Sequence, residues 1–259
     1  MGKVFAVANQ KGGVGKSATV VNLSAFIGSQ GKKVLCIDID SQGNTTSGYG
    51  IRKKSVRNSS YNILTGSADI NDAVIKTAFE NVSIVPSVSD LAGGEIEMIS
   101  LDNRLNRLKM QVLNCRDDFD YIFIDCPPSL SIITLNALNA CDSVIIPMQC
   151  EFHSLEGLAQ LTDTIKHIRL KSNPHIKIEG ILFTMFDPRL NITMSVVKEV
   201  EKYFPDLIFQ TTIPRNVRIS EAPSFGMPVM YYDKRSKGTE AYARLGCEIL
   251  GIKYHKERK

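Results

Sequence analysis

No apolar run in this chain approaches the roughly 18 residues needed to cross a bilayer, so no segment reads as a membrane span. The N-terminus enters an apolar strand directly, without the layout of a signal peptide, and a cytoplasmic location is expected. None of the six cysteines (36, 115, 126, 141, 150 and 247) stands in a CxxC pair. Most fall inside apolar strands or helices and read as reduced, small core residues, which argues against a zinc or iron–sulfur centre. The four histidines show no ligand spacing either. There is no internal repeat, no low-complexity tract and no linker.

What is present suits a globular protein. Hydrophobic residues make up 43% and charged residues 22% of 259, enough to bury a sizeable core. The net charge of +4 is a mild excess, compatible with a nucleic-acid partner without requiring one. Basic residues gather at Arg52, Lys53, Lys54 and Arg57, at Arg215 and Arg218, at 234–237, and at Lys253, Lys256, Arg258 and Lys259. The ordinary meaning of such runs is a solvated surface.

Short apolar runs rich in Val and Ile recur at 3–9, 33–39, 82–86, 120–125, 142–147 and 177–184, the pattern of strands covered on both faces. Helix-like stretches lie between them, clearest at 17–29, 91–114 and 153–170, where Leu155, Leu158, Leu161, Ile165 and Ile168 keep helical spacing. A strand near 207–213 and a helix near 237–250 follow. This alternation predicts an α/β fold over residues 1–259 as a single domain, with a doubly wound, mostly parallel sheet and helices on both faces. Ligands of such sheets bind beyond the C-terminal ends of the strands.

The run KGGVGKS, residues 11–17, falls at that place, between the strand Val4 to Ala8 and the helix that opens at Ala18. Backbone N–H groups of Gly12, Gly13, Val14 and Gly15 can close round a phosphate, because glycine tolerates positive φ and close approach. The following helix N-terminus directs its partial positive charge at the same anion. In the pattern GxxxxGK[ST], Gly15, Lys16 and Ser17 match, with Lys16 expected on the β- and γ-phosphates and the Ser17 hydroxyl on Mg²⁺. Gln10 stands where the pattern has its opening glycine. A second lysine, Lys11, sits at the mouth of the loop, from where its ammonium could reach a nucleotide held by a neighbouring subunit. Asp125 ends the strand YIFID, placed to hold a water in the Mg²⁺ shell or, more simply, to cap a turn. No NKxD guanine-reading motif occurs, so ATP is expected over GTP.

The spelling KGGxGK[ST] after a strand resembles the deviant Walker A loop of the ParA/MinD ATPases. IDIDSQGNTTSGYG (37–50), YIFIDCPPSL (121–130), CEFHSLEGL (150–158) and IPRNVRISEAPSFGMPV (213–229) narrow the resemblance to Soj/ParA partition ATPases. It implies the P-loop fold, ATP and Mg²⁺ as ligands, and Lys11 as the lysine that crosses an ATP-sandwich homodimer. It makes Asp40 the aspartate that orients the attacking water and Asp38 a support of the Mg²⁺ shell. Pro214 and Asn216 fall against adenine. Arg189, Arg218, Lys234 and Arg235 match positions of DNA-binding residues, for which surface salt bridges are the alternative. The family usually has proline where this chain has Ser41, and threonine where it has Ala18, a position that mainly offers its N–H to the α-phosphate. Cys126, Pro127 and Pro128 form a stiff turn that could sense the γ-phosphate. The implied function is slow ATP hydrolysis by a chromosome- or plasmid-partition protein. Its dimer binds double-stranded DNA non-specifically, associates with the nucleoid, and is released when a ParB-type centromere-binding protein stimulates hydrolysis.

Two other classes compete. A MinD-like membrane-cycling ATPase needs a C-terminal amphipathic helix, and the ending GIKYHKERK has few apolar residues for one. An electron-transfer ATPase like the nitrogenase iron protein needs cysteines bridging a cluster, and Cys126 lacks an evident second.

Overall fold

The computed structural model describes residues 1–255, so Lys256, Arg258 and Lys259 of the C-terminal basic cluster lie outside the described residues. In chain order the elements are β1 (Lys3–Val7), α1 (Lys16–Ser29), β2 (Val34–Asp38), α2 (Asn44–Gly48), α3 (Ser60–Thr65), α4 (Ile70–Ala73), β3 (Ile75–Lys76), β4 (Val82–Val85), α5 (Leu91–Ile99) and α6 (Arg107–Cys115). There follow β5 (Tyr121–Asp125), α7 (Ile132–Ala140), β6 (Ser143–Gln149), α8 (Ser154–Lys171), β7 (Lys177–Phe186), α9 (Asn191–Tyr203), β8 (Ile213–Pro214), α10 (Val217–Glu221), α11 (Val229–Tyr232) and α12 (Lys237–Leu250). The strands make one sheet in the order β3-β4-β2-β5-β1-β6-β7-β8, parallel throughout except for the β3–β4 pair. This is the doubly wound α/β fold that the alternation predicted.

Side chains alternate across the sheet, and each face carries its own core. Ala6, Ile37, Ile124 and Ile146 face one layer with Leu108, Leu138, Leu161 and Ile165 of the helices. Phe5, Cys36, Phe123 and Ile145 face the other with Leu23 of α1 and Leu245 of α12, and the rings of Phe5 and Phe123 stack at 5.2 Å. In parallel register Val7 and Asp38 both stand opposite Asp125, so β1, β2 and β5 end together. All six cysteines are buried, five of them in these layers. Among the described residues no helix is long and apolar enough to cross a membrane.

Two predicted elements differ. The helix expected over 91–114 breaks into α5 and α6. Asn103 turns the chain with φ 52°, a left-handed conformation that Asn tolerates. Asparagines of α7 take up the exposed carbonyls of the break: Asn136 Nδ2 donates to Arg104 O at 2.7 Å and Asn139 Nδ2 to Leu105 O at 2.8 Å. The strand expected over 207–213 shrinks to Ile213–Pro214 plus a single bridge from Ile208 to Ile181. Between them the Gln210 and Thr211 N–H groups donate to the Glu248 carboxylate at 2.7 and 3.0 Å, so a side chain of α12 replaces the strand ladder.

Candidate functional site

The glycine-rich loop joins β1 to α1, and its shape depends on backbone conformations that a side chain resists. Gly13 has φ 73° and Gly15, which precedes the first residue of α1, has φ 89°. Neighbouring elements hold the loop by its carbonyls. Thr184 Oγ1 of β7 donates to Val14 O at 2.8 Å, and Gln149 Nε2 of β6 donates to Gly13 O at 3.0 Å. Buried Asn9 donates through Nδ2 to Pro147 O at 2.7 Å and accepts the Lys11 N–H on Oδ1 at 3.0 Å. The N–H groups of Lys16, Ser17 and Ala18, the first of α1, have no acceptor within the helix and can serve an anion.

Lys16 is only 6% exposed and its Nζ donates to Lys11 O at 3.2 Å, folded back over the loop. Burial holds its ammonium below the ordinary lysine value, with Asp125 the strongest influence in the opposite direction, followed by Cys126 and Asp40. An ammonium so placed, largely stripped of water, gains most from an anionic partner.

Three carboxylates stand at the strand ends. Asp38 accepts from Asp40 N on Oδ1 at 3.2 Å, and from Thr46 N and Thr46 Oγ1 on Oδ2 at 2.8 and 2.7 Å. Both of its oxygens are thus engaged. Asp125 accepts from Thr45 Oγ1 on Oδ2 at 2.8 Å. Burial pushes Asp38 up to about 6 and Asp125 up to about 8, the Asp38 charge adding to the second. Ser17 stands near enough to favour the ionised form of Asp125, yet Oδ1 of Asp125 is buried without a hydrogen-bond partner. Asp40 lies on the turn before α2, its Oδ1 accepting from Gln42 N at 2.9 Å.

An orphaned carboxylate oxygen beside a serine hydroxyl is a hard, all-oxygen donor set that suits Mg²⁺. The residues present fit the ion. Asp125 and Ser17 could face it directly, with Asp38, saturated by hydrogen bonds, behind them.

A cavity of about 410 Å³ opens beside the loop, lined by Gly15, Ala18, Thr184, Pro214, Asn216 and Tyr242 among others. Asn216 Oδ1 accepts from Arg218 N at 2.9 Å, capping α10 and fixing the amide. Pro214, Asn216 and Ala18 therefore share one pocket with the loop.

Other expected residues stand outside it. Lys11 is paired with Glu151 after β6. Arg189 grips Asp187 through Nε at 2.8 Å and Nη2 at 2.6 Å, which pushes the Asp187 carboxyl down to about 2. Arg218 meets Glu221 at 2.8 Å and Asp233 at 3.3 Å. Lys234 is exposed, and the Arg235 N–H donates to Asp233 Oδ1 at 3.0 Å. Asn9, Thr45, Thr46, Gln149 and Thr184 escaped the sequence reading. Asn9, Gln149 and Thr184 lie at or near strand ends and Thr45 and Thr46 on α2, and nothing local says which polar residue there meets the loop or a carboxylate.

A family model described as an AAA domain matches residues 2–178. The chain is 50% identical over 249 residues to the sporulation initiation inhibitor protein Soj of Bacillus subtilis, covering 96% of this chain and 98% of that one. It is 46% identical over 250 residues to the chromosome partitioning protein ParA of Myxococcus xanthus, covering 96% and 88%. Among solved structures it superposes with a TM-score of 0.84 on a cobyrinic acid a,c-diamide synthase of Mycobacterium smegmatis with bound ADP and magnesium, at 34% identity over 96% of this chain and 94% of that one. With a P-loop fold, a carboxylate set behind the loop and relatives of this closeness along nearly its whole length, the chain belongs to the ParA/Soj family of partition ATPases.

Proposed function

We propose that residues 1–259 work as one ATPase unit that binds ATP with Mg²⁺, pairs into an ATP-sandwich homodimer, and binds double-stranded DNA without sequence preference. Hydrolysis is slow, is stimulated by a ParB-type partner, and releases the DNA. The observation that carries this reading is the convergence of Lys16, Ser17, Asp40 and Asp125 where β1, β2 and β5 end beneath one glycine loop.

Each residue has a task in that scheme. Backbone N–H groups of Gly12 to Ala18 cradle the phosphates, and Lys16 neutralises the β- and γ-phosphates. Pro214 and Asn216 line the adenine end. Ser17 and Asp125, backed by Asp38, hold Mg²⁺, which when bound offsets the charge on the transferring phosphoryl group. Asp40 orients the attacking water. Lys11 leaves Glu151 to reach the nucleotide of the partner subunit. Arg189, Arg218, Lys234 and Arg235 contact the DNA backbone; the ion pairs of Arg189 and Arg218 at the surface are of small worth, and phosphates can replace them.

The test is DNA affinity measured with ADP, with ATP, and with ATP in Asp40→Ala. We expect weak binding in ADP, tight binding in ATP, and persistent binding in Asp40→Ala, which holds ATP without turning it over. Each phosphate contact adds about 0.9 to the slope of log affinity against log salt, so the ATP-bound dimer is also the more salt-sensitive form. Equal affinity in ADP and ATP would refute the nucleotide switch.

A further inference from the structure

Two consecutive threonines of α2 hold the two buried carboxylates at the sheet's C-terminal edge, and only one of them leaves an oxygen free. Thr46 saturates Oδ2 of Asp38 and in turn accepts the Ser87 N–H at 2.9 Å, so that pair is closed on itself. Thr45, fully buried, donates one hydroxyl hydrogen to Oδ2 of Asp125 at 2.8 Å and leaves Oδ1 without a partner.

A carboxylate turns readily about its last torsion, which has broad, nearly two-fold wells. A hydrogen bond from a neutral hydroxyl to one carboxyl oxygen decides which oxygen remains available, and it is strongest to the ionised form that a bound cation favours. The donor here is itself constrained, because β-branched Thr45 has restricted χ1 freedom and sits in a helix that starts directly after the Asp40 turn.

We propose that Thr45 is a positioning residue: it engages Oδ2 of Asp125 so that Oδ1 stays presented to the cation position beside Ser17, and it ties the Asp40 turn to the end of β5. This rests on the reading of Asp125 as a support of Mg²⁺. Thr45 touches no reacting atom, and its effect passes entirely through the orientation of Asp125.

The experiment is a Mg²⁺ titration of fluorescent ATP-analogue binding to the full chain, with a parallel measurement in EDTA. Outer partners of ligating groups typically account for 10- to 100-fold in metal affinity, so Thr45→Val should raise the half-saturating Mg²⁺ concentration by about tenfold or more. Analogue affinity in EDTA should stay at the wild-type value, because the loop and Lys16 are intact. Thr45→Ser restores the hydroxyl and should return the Mg²⁺ requirement to wild type. If Thr45→Val does not fold, Thr45→Ala carries the same expectation with less bulk in the core.

A wild-type Mg²⁺ requirement in the hydroxyl-less variant, or a Thr45→Ser as impaired as Thr45→Val, overturns the assignment. Asp125→Asn separates the two levels. If it raises the Mg²⁺ requirement while Thr45→Val does not, the positioning role alone falls. If Asp125→Asn has no effect, the cation reading falls and the role of Thr45 with it.

Discussion

Lys16 and Asp125 illustrate how much a single buried charge can be asked to do. The ammonium is 6% exposed, and burial already weakens its charged form. In Lys16→Ala the phosphates lose their one desolvated cation. Binding of ATP with Mg²⁺ should drop below detection by calorimetry while the fold persists; wild-type affinity would remove the loop from the site. The carboxylates make a second prediction. Asp38 and Asp125 titrate higher in the folded protein than the ordinary value near 4, because burial, helped by the Asp40 charge beside Asp38 and the Asp38 charge beside Asp125, favours the protonated forms. Between pH 4 and about 8 the unfolded chain therefore binds fewer protons than the folded one, and the stability of the ligand-free protein should fall as pH rises through that window. Below pH 4 both states are protonated and the effect vanishes. Urea midpoints at pH 5 and pH 8 check this: the fall should be smaller in Asp125→Asn, and an identical fall in that variant would discharge Asp125 from the effect.

At the scale of elements, the contact that closes the α2 side of the site is between two backbones. Gly50 follows α2 with φ 71°, Gly226 follows the 3-10 turn Ala222–Phe225 with φ 64°, and a Cβ on Gly226 would lie 2.5 Å from the Gly50 Cα. Tyr49, one residue before, buries its hydroxyl on Val21 O at 3.0 Å, which fastens α2 to α1. Asn22 of α1 in turn accepts the Val229 N–H at 2.7 Å. Two glycines thus let the segment after α2 and the segment after α10 touch without side chains between them. Gly226→Ala meets both left-handed strain, of order 1–3 kcal/mol, and a backbone overlap that cannot be relieved by a rotamer change. Gly31, at φ 78° with nothing within 4 Å, bears the strain alone. Chemical denaturation should therefore show Gly226→Ala losing more stability than Gly31→Ala; equal losses would mean that the Gly50 contact yields freely.

For the whole molecule the question is what the ion pairs at the surface conceal. Lys11, which we propose reaches a partner's nucleotide, is held by Glu151 of its own chain, and pairing in trans must break that bond. Lys11→Ala should bind nucleotide yet remain monomeric with ATP in light scattering. Glu151→Gln removes the competing carboxylate and should shift the ATP-dependent dimer to lower protein concentration. A normal dimer in Lys11→Ala would return Lys11 to an ordinary surface charge. The arginines follow the same logic. Arg218→Glu should abolish DNA binding while the dimer forms normally, since α10 bears this side chain outside the loop.

Much of this was legible in the residues because it is local. Continuous apolar runs mark strands sealed on both faces, and the spelling KGGVGKS between a strand and a helix marks a candidate anion cradle, so the fold and the place of the loop and of Asp125 follow from neighbours along the chain. The break after Ile99 and the loss of a strand before Ile213 do not, because their causes are asparagines on α7 and Glu248 on α12, brought in from 30 or more residues away. The same holds for the holders of the site. Whether Thr45 meets Asp125, Asn9 meets Pro147 or Thr184 meets Val14 depends on which strand ends lie side by side, and the order β2-β5-β1-β6-β7 is a property of the folded sheet. A short polar side chain carries no sign of its partner; hydrogen bonding is satisfied by whatever the packing of apolar faces places within 3 Å, and that packing is decided by the whole chain.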